Sequence, residues 1–196
     1  MKNELMNVYF DNLIHEYNFN VDKFISNKFL TEIKNIFINR REEMMKIHNS
    51  ANLPFSINSN YTELRWKIDK KLSKLVEKNY IVKNNHQHFD ISIYYSNKNI
   101  GAYQWHNHWK LGFNHATIVG TFYCHNMQKN KGGEISFSIP GKEEFKIFPK
   151  NNTLYLFPYW LAHKPNPYTG EGDRFCFNWG YSTSNRIKHK LIDGIW

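Results

Sequence analysis

Cysteine is nearly absent from this chain: Cys124 and Cys176 are the whole supply among 196 residues. Each sits inside an apolar, strand-like run, so the pair reads as reduced core residues rather than as a disulfide framework. Long apolar runs are missing too. None approaches the ~18 residues of a membrane-spanning helix, and no membrane span is expected. Residues 1–12 lack the apolar core and small-residue cleavage site of a secretory signal, so the expected location is cytoplasmic. Acidic residues are outnumbered, 17 against 26 Lys and Arg, for a formal charge of +9. Such a charge suits a polyanionic partner such as nucleic acid. Yet there is no dense basic block: Arg40-Arg41, Lys70-Lys71, Lys129 and Lys142 are scattered, and a solvated surface is the favoured reading. Internal repeats, low-complexity tracts and linkers are also lacking, so residues 1–196 are expected to form a single domain.

Against these absences stand 41% apolar and 17% aromatic residues, enough to bury a core and to exclude a disordered chain. The first part, residues 1–85, reads as helical. Val21, Ile25, Phe29, Ile33, Ile36 and Phe37 recur at helical spacing over 21–39. Leu64, Ile68, Leu72, Leu75 and Val76 repeat the pattern over 61–81, where Asn60 and Glu63 resemble a capping box. Residues 48–60, with Pro54 among Asn and Ser, read as a loop. The two helices are expected to lay their apolar faces on one sheet.

From about residue 88 the period changes. Phe89-Asp90-Ile91-Ser92-Ile93-Tyr94 alternates as a strand, and further strands are expected at 100–106, 116–124, 133–139, 143–148, 153–158 and 173–181. Short strands with close turns point to a mainly β sandwich or jelly roll over 86–183, followed by a tail at 184–196.

Within this region lie His106, His108, His115 and His125. His106 and His108, at i and i+2 on an extended segment, point to one face. A third histidine, His163, follows 55 residues after His108, just beyond the apolar run Leu154–Leu161. Three such imidazoles can close a facial metal site, suited alike to iron, zinc, copper or nickel. Arg174 comes 11 residues later in an alternating strand. If it points inward, so do Cys176 and Asn178, while Phe175, Phe177 and Trp179 face the other layer. An inward arginine needs an anion, either a protein carboxylate or a dicarboxylate co-substrate gripped bidentately. Trp105, Trp109, Phe113 and Trp160 flank the histidines, as substrate-mouth or core residues.

Residues 103–181 resemble the small bacterial and phage family of 2-oxoglutarate- and Fe(II)-dependent oxygenases with a His-x-His motif. The matching segments occur in the family's order. They are His106-Asn107-His108, Gly120-Thr121-Phe122-Tyr123-Cys124, Gly132-Gly133-Glu134-Ile135-Ser136-Phe137, Leu156-Phe157-Pro158-Tyr159-Trp160-Leu161-Ala162-His163 and Arg174-Phe175-Cys176-Phe177-Asn178. The Gly-Gly-Glu run is also similar to that of prolyl hydroxylases. The resemblance implies a double-stranded β-helix, cupin-like, with N-terminal helices on one sheet. It implies Fe(II) held by His106, His108 and His163, and 2-oxoglutarate held by Arg174 with Tyr123 and Cys176 nearby. It further implies O2-dependent hydroxylation or demethylation of an unidentified substrate. A phage-encoded member would act inside the host cell.

The chain departs from the family pattern twice. His108 stands where a carboxylate is more common, leaving the metal its full charge; His115 is the substitute candidate. Cys176 stands where the family has serine, which removes a good hydroxyl donor to the co-substrate. Two other readings remain open. One is a three-histidine cupin-type metalloenzyme that does not use 2-oxoglutarate. The other is a non-catalytic jelly-roll binding module.

Overall fold

In the computed structural model of the chain, the described residues are 5–9, 13–20, 25–39, 52–54, 66–68, 70–75, 80–81, 86–88, 92–96, 104–107, 117–124, 131–183 and 188–189. They form, in order, β1 (Leu5–Tyr9), β2 (Ile14–Asn18), α1 (Asn27–Asn39), β3 (Asn52–Pro54), β4 (Tyr80–Ile81), β5 (His86–His88), β6 (Ser92–Ser96), β7 (Thr117–Cys124), β8 (Ile135–Ser138), β9 (Phe145–Ile147), β10 (Thr153–Pro158), β11 (Ala162–Pro165), β12 (Arg174–Thr183) and β13 (Lys188–His189). Residues 66–68 and 70–75 are also helical.

The architecture is mainly β. A large antiparallel sheet runs β1-β2-β10-β7-β12-β6-β3, with β5 also paired to β12. A smaller antiparallel sheet runs β11-β8-β9, and β13 pairs with β4. One apolar cluster joins the two larger sheets. Val119, Tyr155, Phe157 and Cys176 enter it from the large sheet, and Ile135, Phe137 and Ile147 from the smaller. Full burial of each such large side chain stabilises the fold by about 1.5–3 kcal/mol. β10 is buried from Thr153 through Phe157 because both its faces are covered.

The helical reading of residues 1–85 is corrected by this arrangement. β1 and β2 belong to the large sheet, and β2 pairs with β10 from Thr153↔Asn18 to Leu156↔His15. Residues 13–17 are all buried, including Glu16, so no polar-apolar alternation marks the strand. Lys150 reaches in to Glu16 at 2.8 Å, which is how a carboxylate is accommodated there. The stretch 48–60, expected as a loop, contributes β3 to the far edge of the same sheet. The capping pair Asn60 and Glu63 lies outside the described residues.

The helix α1 buries Phe29, Leu30 and Ile33. Ser26 caps it, its Oγ accepting the Phe29 amide at 3.2 Å. Over 66–75, Ile68, Leu72 and Leu75 are buried. Lys71 there donates to the Asn20 carbonyl and lies over the Phe19 ring. Among the described residues no helix is long and apolar enough to cross a membrane.

Candidate active site

A sharp turn, with the Leu161 amide on the Pro158 carbonyl, ends β10 and starts β11. β11 pairs with β8 on one edge, placing His163 opposite Phe137. On its other edge it takes the segment around His106. The two histidines exchange both backbone hydrogen bonds: His106 N to His163 O at 3.1 Å, and His163 N to His106 O at 2.9 Å. Directly opposed residues of an antiparallel pair put their side chains on one face. Their ring centroids are accordingly 4.3 Å apart.

The tautomers follow from the hydrogen bonds. His106 Nδ1 is 3.0 Å from the Gln104 carbonyl, and His163 Nδ1 is 2.9 Å from the Leu161 carbonyl. A carbonyl only accepts, so both Nδ1 atoms carry the proton and donate. Each ring is therefore left with its Nε2 lone pair, the form and orientation in which imidazole ligates a metal. The Phe157 ring meets His163 edge-on at 4.8 Å, and Phe137 stands at 6.3 Å, giving one side of the pair an apolar wall. His163 is buried and His106 half-buried.

Arg174 opens β12 and is only 4% exposed. Cys176 lies in the cluster between the sheets, so strand alternation puts Arg174 and Asn178 on that same inner face. On the opposite face Phe175 and Phe177 are buried, and Phe175 packs on Tyr95 at 5.2 Å. The outward placement of those two phenylalanines agrees with the strand's alternation. Beside the guanidinium is Gly133: a Cβ there would lie 3.5 Å from Arg174 Nη1 and 3.3 Å from the Tyr168 ring. The lack of a side chain at 133 leaves room next to the cation.

The Gly132-Gly133 turn is clamped by residues 166–169. Gly133 N donates to Pro167 O, Thr169 N to Lys131 O, and Asn166 N to Glu134 O. Gly132 has φ 73°, and a Cβ on it would meet the Pro167 carbonyl at 2.3 Å, so only glycine fits. Tyr168, 1% exposed, donates its hydroxyl to the Glu171 carbonyl. Sequence reasoning overlooked Tyr168 because its partners are backbone atoms of a distant turn.

The remaining expected residues are placed as follows. Tyr123 stands opposite Cys176 on β12 and opposite Thr153 on β10. Cys176 is a buried thiol, with Thr121 Oγ1 at 2.8 Å and Asn178 Oδ1 at 3.3 Å. His108, His115, Trp109 and Phe113 lie outside the described residues. Among the described residues no group of three or more His, Cys, Asp or Glu side chains gathers at one point, and the site is a histidine pair. Trp105 is 41% exposed beneath Lys164, and Trp160 packs against the inter-sheet cluster.

No family model matches the sequence, and no curated protein matches it. Solved structures share its fold. The viral collagen prolyl hydroxylase of Paramecium bursaria Chlorella virus-1 matches with a TM-score of 0.56 at 15% identity, over 94% of this chain and 97% of that one. A prolyl-4-hydroxylase of Pseudomonas putida matches with a TM-score of 0.53 at 11% identity, over 87% and 88%. HygX of Streptomyces hygroscopicus, solved with nickel and 2-oxoglutarate bound, matches with a TM-score of 0.53 at 12% identity, over 88% and 82%. The fold of this chain is thus one that 2-oxoglutarate-dependent oxygenases also have.

Proposed function

We propose that this chain is an Fe(II)- and 2-oxoglutarate-dependent oxygenase of the double-stranded β-helix type, which hydroxylates or oxidatively demethylates its substrate. The observation that carries the proposal is the His106–His163 pair, locked face to face with both Nδ1 protons on backbone carbonyls. Two preset Nε2 lone pairs at one point are a donor set that fits a divalent metal. The solved structures that share the fold support the same reading.

In this reading His106 and His163 hold the iron, and His108 completes the facial set. Arg174 takes the distal carboxylate of 2-oxoglutarate, in a space that Gly133 leaves open; Tyr123 and Cys176 border it. Bound Fe(II) and 2-oxoglutarate supply the activation of O2, with 2-oxoglutarate converted to succinate and CO2. Phe137 and Phe157 keep water from one side of the histidine pair. The buried arginine favours this reading over a three-histidine enzyme that does without 2-oxoglutarate, because such an enzyme has no use for an inward cation.

The test is succinate formation from 2-oxoglutarate by the Fe(II)-loaded protein in air. The expected result is iron- and O2-dependent succinate that disappears in His163→Ala. No succinate above the His163→Ala background would contradict the proposal.

A further inference from the structure

The thiol at position 176 stands next to a hydroxyl that the sequence pattern does not advertise. Thr121 Oγ1 on β7 lies 2.8 Å from Cys176 Sγ on β12, and Thr121 is 5% exposed. The contact is diagonal across the strand pair, since Thr121 stands directly opposite Asn178. Thr121 also stands opposite Tyr155, which belongs to the cluster between the sheets. Thr121 therefore shares the inner face with Cys176 and Arg174.

Its level along the sheet matters as much as its face. One end of the inner face carries Arg174. The next pair along β12 and β7 is Cys176 with Tyr123, then Asn178 with Thr121. The following row holds Val119 and Phe157, and Phe157 touches His163. Thr121 thus lies between the arginine end and the histidine end of one interior. A dicarboxylate reaching from one end to the other must pass this hydroxyl.

We infer that Thr121 donates the hydroxyl hydrogen bond to the co-substrate that position 176 cannot supply. The inference rests on the proposed 2-oxoglutarate reading and names a residue of this chain for it. A thiol is a weak donor and a hydroxyl a good one. Thr121 can accept the Cys176 S–H and turn its own proton to a carboxylate oxygen. Cys176 then acts as a positioning residue for Thr121.

The experiment is anaerobic calorimetric titration of the Fe(II)-loaded protein with 2-oxoglutarate. Thr121→Val keeps the shape and removes the donor. It is expected to weaken 2-oxoglutarate binding roughly 10- to 100-fold, as for a hydrogen bond to a charged group, with Fe(II) affinity unchanged. Thr121→Ser is expected to bind as the wild type does. Adding Cys176→Ser to Thr121→Val is expected to restore binding, because the hydroxyl returns on the neighbouring strand. Should Thr121→Val not fold, Thr121→Cys carries the same expectation. Wild-type affinity in the Val or Cys variant overturns the inference, as does a loss that Cys176→Ser does not restore. A wild-type protein that binds iron but no 2-oxoglutarate instead sinks the reading beneath it.

Discussion

His163 gives its amide proton to the carbonyl of His106 at 2.9 Å and takes the amide of His106 at 3.1 Å. The pairing fixes two imidazoles that are 57 positions apart in sequence on one face of the smaller sheet's edge. It makes metal affinity depend on both rings. His106→Ala or His163→Ala is expected to lower Fe(II) affinity at least about 100-fold, more than the loss of a supporting partner does. Competition with a chromophoric chelator measures it. Affinity unchanged in either variant would place the metal elsewhere.

The turn that borders Arg174 has no tolerance at position 132. Gly132→Ala brings together a positive φ and a Cβ against the Pro167 carbonyl. The expected cost is roughly 1–3 kcal/mol of stability, read as a lower urea midpoint. A midpoint equal to that of wild type would mean that the 131–133 and 167–169 segments are not held together as described.

Asp173 ties the start of β12 to two other elements. Its carboxylate accepts Tyr95 Oη at 2.7 Å and Lys34 Nζ, from α1, at 2.8 Å. Tyr95 is buried and also packs on Phe175, so it grips the residues on both sides of Arg174. Tyr95→Phe keeps the ring and removes the hydroxyl. It is expected to cost about 1–2 kcal/mol by urea unfolding. Lys34→Met should cost less, because that ion pair is about one-third exposed and screened by water. The reverse order of effects would show that the salt bridge dominates.

Glu144 offers a pH-dependent signature on the smaller sheet. The Ser136 hydroxyl, followed by the charges of Lys146 and Lys164, holds its carboxyl below the ordinary glutamate range. A depressed folded value means that the contribution is present above the unfolded value. It is lost as pH falls through the folded one. Carboxyl resonances followed by NMR are expected to give Glu144 a midpoint lower than that of an unperturbed glutamate. In Ser136→Ala the midpoint should rise toward the ordinary range. An unmoved midpoint would assign the depression to the lysines.

Sequence legibility tracked where the chemistry is local. The strand at β12 was readable because Arg174-Phe175-Cys176-Phe177-Asn178 alternates, and both phenylalanines are buried against the outer layer. Turn residues marked the ends of β8, β9 and β10 for the same reason. β1 and β2 were not readable, because complete burial over residues 13–17 erases the period that distinguishes a strand. The partners that define the site are also non-local. Thr121 meets Cys176 across 55 positions, and Gly133 lies beside a guanidinium 41 positions ahead. Histidine identity and order were legible; the backbone pairing that sets their tautomers is a tertiary property.

The most direct test of the central claim is an anaerobic titration of the protein with Fe(II) and then 2-oxoglutarate, followed in the visible range. The account predicts a weak metal-to-ligand charge-transfer band that needs both components. The band should be absent in His163→Ala and require far more 2-oxoglutarate in Arg174→Ala. Iron binding with no band at saturating 2-oxoglutarate, or the same 2-oxoglutarate requirement in Arg174→Ala as in wild type, would contradict it.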